Sequence, residues 1–240
     1  MLKILSIGNS FSVDATRYLH RIASSCGMQL RTENLYIGGC SLKTHYENLL
    51  EDAQAYELFV NGDSTGQIVG IKEMLQKEKW DYITLQQASR FSVNYTTYQP
   101  FLNVIAQQAK ALCPDAKLVI HQTWAYEDGS QLLCEDLGYE KAEDMFADIK
   151  ASYTQAAADI NAFGTIPSGE LMRKLLQNGM PKVHRDTFHA SLGAGRYALA
   201  LLWYKFLTGN SIDAVGFCDF DEPVLDSELE IIRKSINEIL

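Results

Sequence analysis

The chain has 240 residues, is 47% hydrophobic and 21% charged, and sets 21 basic against 30 acidic side chains for a formal net charge of -9. That length suits one α/β domain, 1–240, with ample apolar material for a core. No basic cluster offsets the acidity, so nucleic acid and anionic membrane surfaces are disfavoured partners. No apolar run reaches the length of a membrane span, and no leader pattern precedes the first strand, so the expectation is a cytoplasmic protein. Cys26, Cys40, Cys113, Cys134 and Cys218 are odd in number and scattered without a Cys-x-x-Cys, which reads as free thiols, with no zinc site.

Lys3 to Ser12 reads as a buried strand that stops at Gly8 and delivers Ser10 into a loop. A helical pattern follows through Val13, Tyr18, Leu19, Ile22 and Ala23. A serine between the carboxyl end of a strand and a helix lies where open α/β sheets bind ligands, and free N–H groups at a helix start favour an anion. The plainer reading of Ser10 is a helix N-cap.

Leu30–Tyr36 is a second strand, followed by Gly38-Gly39-Cys40-Ser41 and a helix from about Lys43 to Ala55. Tyr56–Val60 and Gln67–Ile71 flank Asn61-Gly62-Asp63, a hairpin signal. Gly62-Asp63-Ser64 spells a lipase motif, but its polar turn setting argues for a turn alone. Trp80–Gln87 is a strong strand ending in Gln86-Gln87. A helix spans about Tyr98 to Leu112, and Lys117–Trp124 is the next strand. Ala125–Gly138 is a long acidic loop, of a length that points to function or mobility. Tyr139–Phe163 is helical, Gly164–Pro167 a short last strand, and Gly169–Gln177 a short helix. After the polar loop His184–His189 come an apolar helix, Gly193–Leu207, and an amphipathic one, Ser227–Leu240. This alternation predicts a three-layer α/β/α sandwich around a mainly parallel, flavodoxin-like sheet of about five strands, with a small hairpin insertion.

Loops after the strands would gather Ser10, Gly39, Gln87, Trp124, Asp186 and His189 on one edge. Asp186-x-x-His189 can supply both a base for Ser10 and the carboxylate that orients it; alone, the pair also reads as a helix cap. A thiol nucleophile at Cys40 with His45 or His189, and a metal site at His184 and His189, have less support. No glycine-rich nucleotide-binding pattern follows a strand.

Taken jointly, Ser10, the Gly38-Gly39 turn, the Gln86-Gln87 amides and Asp186-x-x-His189 resemble, in order, the blocks of the SGNH, or GDSL-type, hydrolase superfamily. The likeness runs from Ile4 to Gly209 and is greatest to a bacterial branch catalogued as a domain of unknown function. It implies Ser10 as nucleophile, His189 as base and Asp186 as its partner. It further implies an oxyanion hole from the Ser10 N–H, Gly39 and Gln87, with Gly38 and Gln86 as competitors. Asn9 stands where the name motif has Asp, and glutamine replaces asparagine in the third block. The implied activity is that of a serine esterase acting on a small-molecule ester, an O-acetyl group on a carbohydrate, without cofactor or metal. Trp124 is a candidate sugar platform or lid, and Tyr126 with its acidic loop a candidate for substrate shaping. The competing class is an inactive module on the same fold that binds a carbohydrate or acyl ligand.

Overall fold

A computed structural model describes residues 1–240. The first strand, β1 (Leu2–Gly8), is buried along most of its length and pairs in parallel with β2 (Leu30–Tyr36) on one side and β5 (Tyr82–Leu85) on the other. Beyond β5 lie β6 (Lys117–His121) and β7 (Gly164–Ile166), both parallel. A strand covered on both faces has no polar face, which is why β1, β5 and β6 read as apolar runs. Beyond β2 lie β3 (Tyr56–Val60) and β4 (Asp63–Val69), each antiparallel to its neighbour. The sheet therefore has seven strands in the order β4-β3-β2-β1-β5-β6-β7. Its five parallel strands, counted along the chain, follow the flavodoxin-like order 2-1-3-4-5.

The hairpin differs from the expected insertion. Its two-residue turn, Asn61-Gly62, has φ of 53° and 90°, a pairing suited to the right-handed twist of hairpin strands. But β3 bonds to β2, so the hairpin extends the main sheet. Gly62-Asp63-Ser64 sits at this turn and the start of β4, where Gly62 packs against Arg17, and it contributes no side chain beside Ser10.

Helices α1 (Ser10–Thr16), α2 (Leu19–Ser25), α7 (Ser168–Gln177), α8 (Ala194–Thr208) and α9 (Asp226–Asn237) pack against one another on one face. On the other lie α3 (Leu42–Glu51), α4 (Ile71–Lys77) and α5 (Phe101–Leu112), while α6 (Ala142–Asp159) crosses between β6 and β7. Three details differ from the sequence reading. The first helix is broken at Arg17-Tyr18, where the Tyr18 hydroxyl donates to the Leu192 carbonyl (2.6 Å) and Arg17 clasps Asp221. The short helix α4 carries only Ile71, Met74 and Leu75 as buried residues, too few to show a period. The loop after β6 holds one turn of π-helix, Leu132–Asp136. No helix is long and apolar enough to cross a membrane.

Candidate active site

The carboxyl ends of β1, β2, β5 and β6 converge on a cavity of about 330 Å³. Its floor holds Ser10, His189, Gly38 and Gly39; its walls include Phe11, Tyr36, Tyr126 and Phe188. Such a site, mostly apolar with a few convergent polar groups, is the usual form of a small-molecule pocket.

Asn9, not Ser10, is the N-cap of α1. Its Oδ1 accepts from the Phe11 N–H (3.0 Å), and Ser12 Oγ accepts from the Asn9 N–H (3.1 Å). With the cap supplied by its neighbour, Ser10 occupies the first helical position with its hydroxyl free to turn into the cavity. Its own N–H, in the first turn, has no intrahelical acceptor. Gly8 permits this tight exit from β1, because a Cβ there would stand 2.3 Å from Ser12 Oγ.

Ser10 Oγ lies 2.8 Å from His189 Nε2, and His189 Nδ1 lies 2.8 Å from Asp186 Oδ2. With Nδ1 protonated, the serine hydroxyl donates to the imidazole and the imidazole donates to the carboxylate. The His189 backbone N–H also donates to Asp186 Oδ1 (2.8 Å), so the carboxylate grips both ring and backbone. Burial pushes the Asp186 carboxyl up, but the ring and backbone hydrogen bonds of His189 outweigh it and hold the group below its ordinary range. The loop is pinned at its base by an antiparallel bridge between His184 and Ala190 and by the Arg185 N–H on the His189 carbonyl (2.9 Å). Between Asp186 and His189, Thr187 takes a φ of 74°, strained for a β-branched residue.

Gly38 and Gly39 both face the cavity. Gly39 has a φ of 64°, and its N–H finds no acceptor within the protein. The two glutamines are placed otherwise than expected. Gln87 is buried. Its Oε1 accepts from the Leu42 and Ala88 N–H groups (both 2.9 Å), and its Nε2 donates to the Thr97 carbonyl and hydroxyl (3.0 and 3.2 Å). Both amide hydrogens are thus directed at Thr97, and Gln87 does not line the cavity. Its contact with Leu42 braces the start of α3, just after the glycine turn. Gln86 is turned the other way: its Nε2 donates to Asn9 Oδ1 (2.7 Å), and its Oε1 accepts from His121 Nδ1 (2.7 Å). Asn9 Nδ2 in turn donates to the Cys40 carbonyl (3.1 Å). This chain of bonds ties the ends of four strands together, a role that nothing in sequence spacing reveals.

Trp124 is a correction. It is fully buried, stacks on Phe11 with ring centroids 4.1 Å apart, and donates from Nε1 to the Phe188 carbonyl (2.7 Å). It supports the cavity wall from behind and offers no face to a sugar. Tyr126 does line the cavity, with its hydroxyl 2.8 Å from Ser89 Oγ, and is joined by Leu132, Asp136 and Leu137 from the acidic loop. Arg90, at the same wall, was not singled out by sequence, since an exposed arginine after a strand carries no motif.

Cys40 is buried, with Sγ 3.5 Å from His45 Nδ1, and burial pushes its thiol up to about 12. His45, also buried, is pushed down to about 3. Both are neutral, and neither lines the cavity. His184 lies 3.1 Å from the Ala125 carbonyl through Nε2, and no group of three or more His, Cys, Asp or Glu side chains is arranged around a common point.

The family described as Domain of unknown function (DUF4886) matches residues 3–224. The chain belongs to the DUF4886 family. A crystal structure of a DUF4886 family protein from Bacteroides uniformis is 29% identical, with a TM-score of 0.89 over 99% of this chain and 93% of that one. A proposed SGNH hydrolase from Slackia heliotrinireducens is 24% identical, with a TM-score of 0.64 over 86% of this chain and 98% of its own. A proposed GDSL-like lipase from Parabacteroides merdae is 16% identical, with a TM-score of 0.57 over 87% and 95%. None of the curated proteins matches the sequence. This DUF4886 chain therefore has the fold of the SGNH and GDSL-like hydrolases.

Proposed function

We propose that this DUF4886 protein is a serine esterase that hydrolyses a small acyl ester through an acyl-enzyme. The observation that carries the reading is the continuous chain Ser10 Oγ, His189 Nε2, His189 Nδ1 and Asp186, each link 2.8 Å, at the floor of a mostly apolar cavity. In this mechanism His189 takes the Ser10 proton as the hydroxyl attacks the ester carbonyl, and the imidazolium is stabilised by Asp186. The oxyanion is held by backbone N–H groups of Ser10 and Gly39, with the dipole of the α1 N-terminus adding to them. His189 then returns the proton to the leaving alcohol and activates the water that releases the acid.

On the substrate, an O-acetyl group on a carbohydrate is the proposal that the family likeness supports. The sugar would meet Tyr36 and Tyr126, since Trp124 is buried. The test is hydrolysis of 4-nitrophenyl acetate by the wild type and Ser10→Ala, followed by acetate release from a panel of acetylated sugars. Equal rates for the two proteins would remove the serine-esterase reading. Turnover of simple esters without any acetylated sugar would remove the carbohydrate.

A further inference from the structure

We propose that Asp14 and Arg185 form a strut that sets the spacing between the nucleophile and the imidazole. Asp14 lies one helical turn beyond Ser10 on α1, and its side chain is 1% exposed. Both of its oxygens face Arg185 Nη1, at 3.1 and 2.9 Å. Arg185 immediately precedes Asp186. The same Nη1 donates to the carbonyl of Ala190, the residue after His189, at 2.5 Å, and the Arg185 N–H donates to the His189 carbonyl. One guanidinium nitrogen thus ties the helix that carries Ser10 to the chain on the far side of His189. Parting the two elements would strip this buried carboxylate of one of its cations, which is costly, so they cannot drift apart freely.

The molecule contains its own control. Arg196, on α8, binds the same carboxylate through Nε (2.8 Å) and continues through Nη1 to Asp221 (2.8 Å). It makes no hydrogen bond to the 185–190 loop. Loss of Arg196 removes an ion pair from Asp14 without cutting the tie to His189, whereas loss of Arg185 cuts it. Asp14 and Arg185 are positioning residues in this view. The kinetic part of the inference rests on the esterase reading; the geometric part does not.

The experiment compares Arg185→Gln with Arg196→Gln by melting temperature, kcat and KM on 4-nitrophenyl acetate, and crystal structures. Both variants melt lower than the wild type. A misplacement of about 1 Å between reacting groups is enough for a roughly 100-fold loss, and this is expected in kcat for Arg185→Gln, with KM changed by about 2-fold or less. Its Ser10–His189 separation opens beyond hydrogen-bond distance, about 3.5 Å, while Arg196→Gln keeps both the distance and kcat. Arg185→Lys, which retains the charge, recovers part of the loss. If Arg185→Gln fails to fold, Arg185→Met replaces it, with the same outcomes expected, because it too cuts the tie from Asp14 to the Ala190 carbonyl and leaves the Arg196 pair intact. Equal kcat in the Arg185 and Arg196 variants, or an unchanged 2.8 Å separation in Arg185→Gln, overturns the strut. If the wild type proves no faster than Ser10→Ala, the esterase reading falls, and the crystallographic distances still decide the strut.

Discussion

Ser10 and His189 stand 179 residues apart in the chain and 2.8 Å apart in space. The contact is made by the carboxyl end of β1 and a pinned loop before α8, both on one edge of the sheet. If this pair is catalytic, Ser10→Ala and His189→Ala each abolish most ester hydrolysis, by about 10³-fold or more in kcat. The double variant is scarcely worse than either single one, because the two act as a unit. Steady-state kinetics on an activated ester checks this, and additive losses would contradict it.

Gln87 separates two readings of the site. Had its amide reached the oxyanion, Gln87→Ala would lower kcat and leave stability alone. With its amide committed to Leu42, Ala88 and Thr97, the substitution strands two buried N–H donors. A loss of stability on the order of 2–6 kcal/mol is expected, at about 1–3 for each of the two unsatisfied groups. Urea denaturation of the variant measures it.

Trp124→Phe tests the platform idea in the same way. The indole hydrogen bond to the Phe188 carbonyl is lost, at a cost of about 1 kcal/mol, and the stack on Phe11 is retained in part. KM for any ester substrate should stay within about 2-fold, the signature of a residue that binds no substrate. A large rise in KM with unchanged stability would return Trp124 to the binding surface.

Acid should destabilise the fold before it titrates the carboxylates. Burial holds His45 and His121 down at about 3 and His184 at about 4, against 6.5 when unfolded. Between those values the unfolded chain binds protons that the native protein refuses. Stability therefore falls as pH drops below 6.5 and rises with pH across the same window. From pH 6.5 to 5 the loss is on the order of 1–2 kcal/mol per buried histidine. Urea unfolding at pH 7 and pH 5 measures it, and a flat result would contradict neutral burial of these rings.

The thiols divide by exposure. Cys26, Cys134 and Cys218 are exposed, whereas Cys40 and Cys113 are buried with their thiols pushed up. Native-state alkylation should modify the first three quickly and the other two only on unfolding, as reactivity follows thiolate fraction and access. Rapid modification of Cys40, with loss of activity, would reopen the thiol alternative.

The architecture was legible in the sequence because its signals are local. Apolar runs at β1, β5 and β6, helical periods between them, and Asn61-Gly62 at a turn are each set by neighbours in the chain. The order Ser10, Gly38-Gly39, Gln86-Gln87 and Asp186-x-x-His189 is not a local signal; it could be read only through its resemblance to the blocks of the SGNH superfamily, and it named residues that the fold brings to one sheet edge. What sequence spacing could not decide was direction and depth. Gln86 and Gln87 are identical in type and adjacent, yet the extended chain just past β5 sends them in different directions, one to Asn9 and the other to Leu42. Trp124 lies in the loop just after β6 at the same edge, and only the stacking of Phe11 and the Phe188 carbonyl determines that it is buried. The bond between Asp14 and Arg185 spans 171 residues, and a charge pair at that separation leaves no pattern in the chain; it exists because the packing of α1 against the 185–190 loop excludes water and leaves the carboxylate no other partner of equal strength than the arginines beside it.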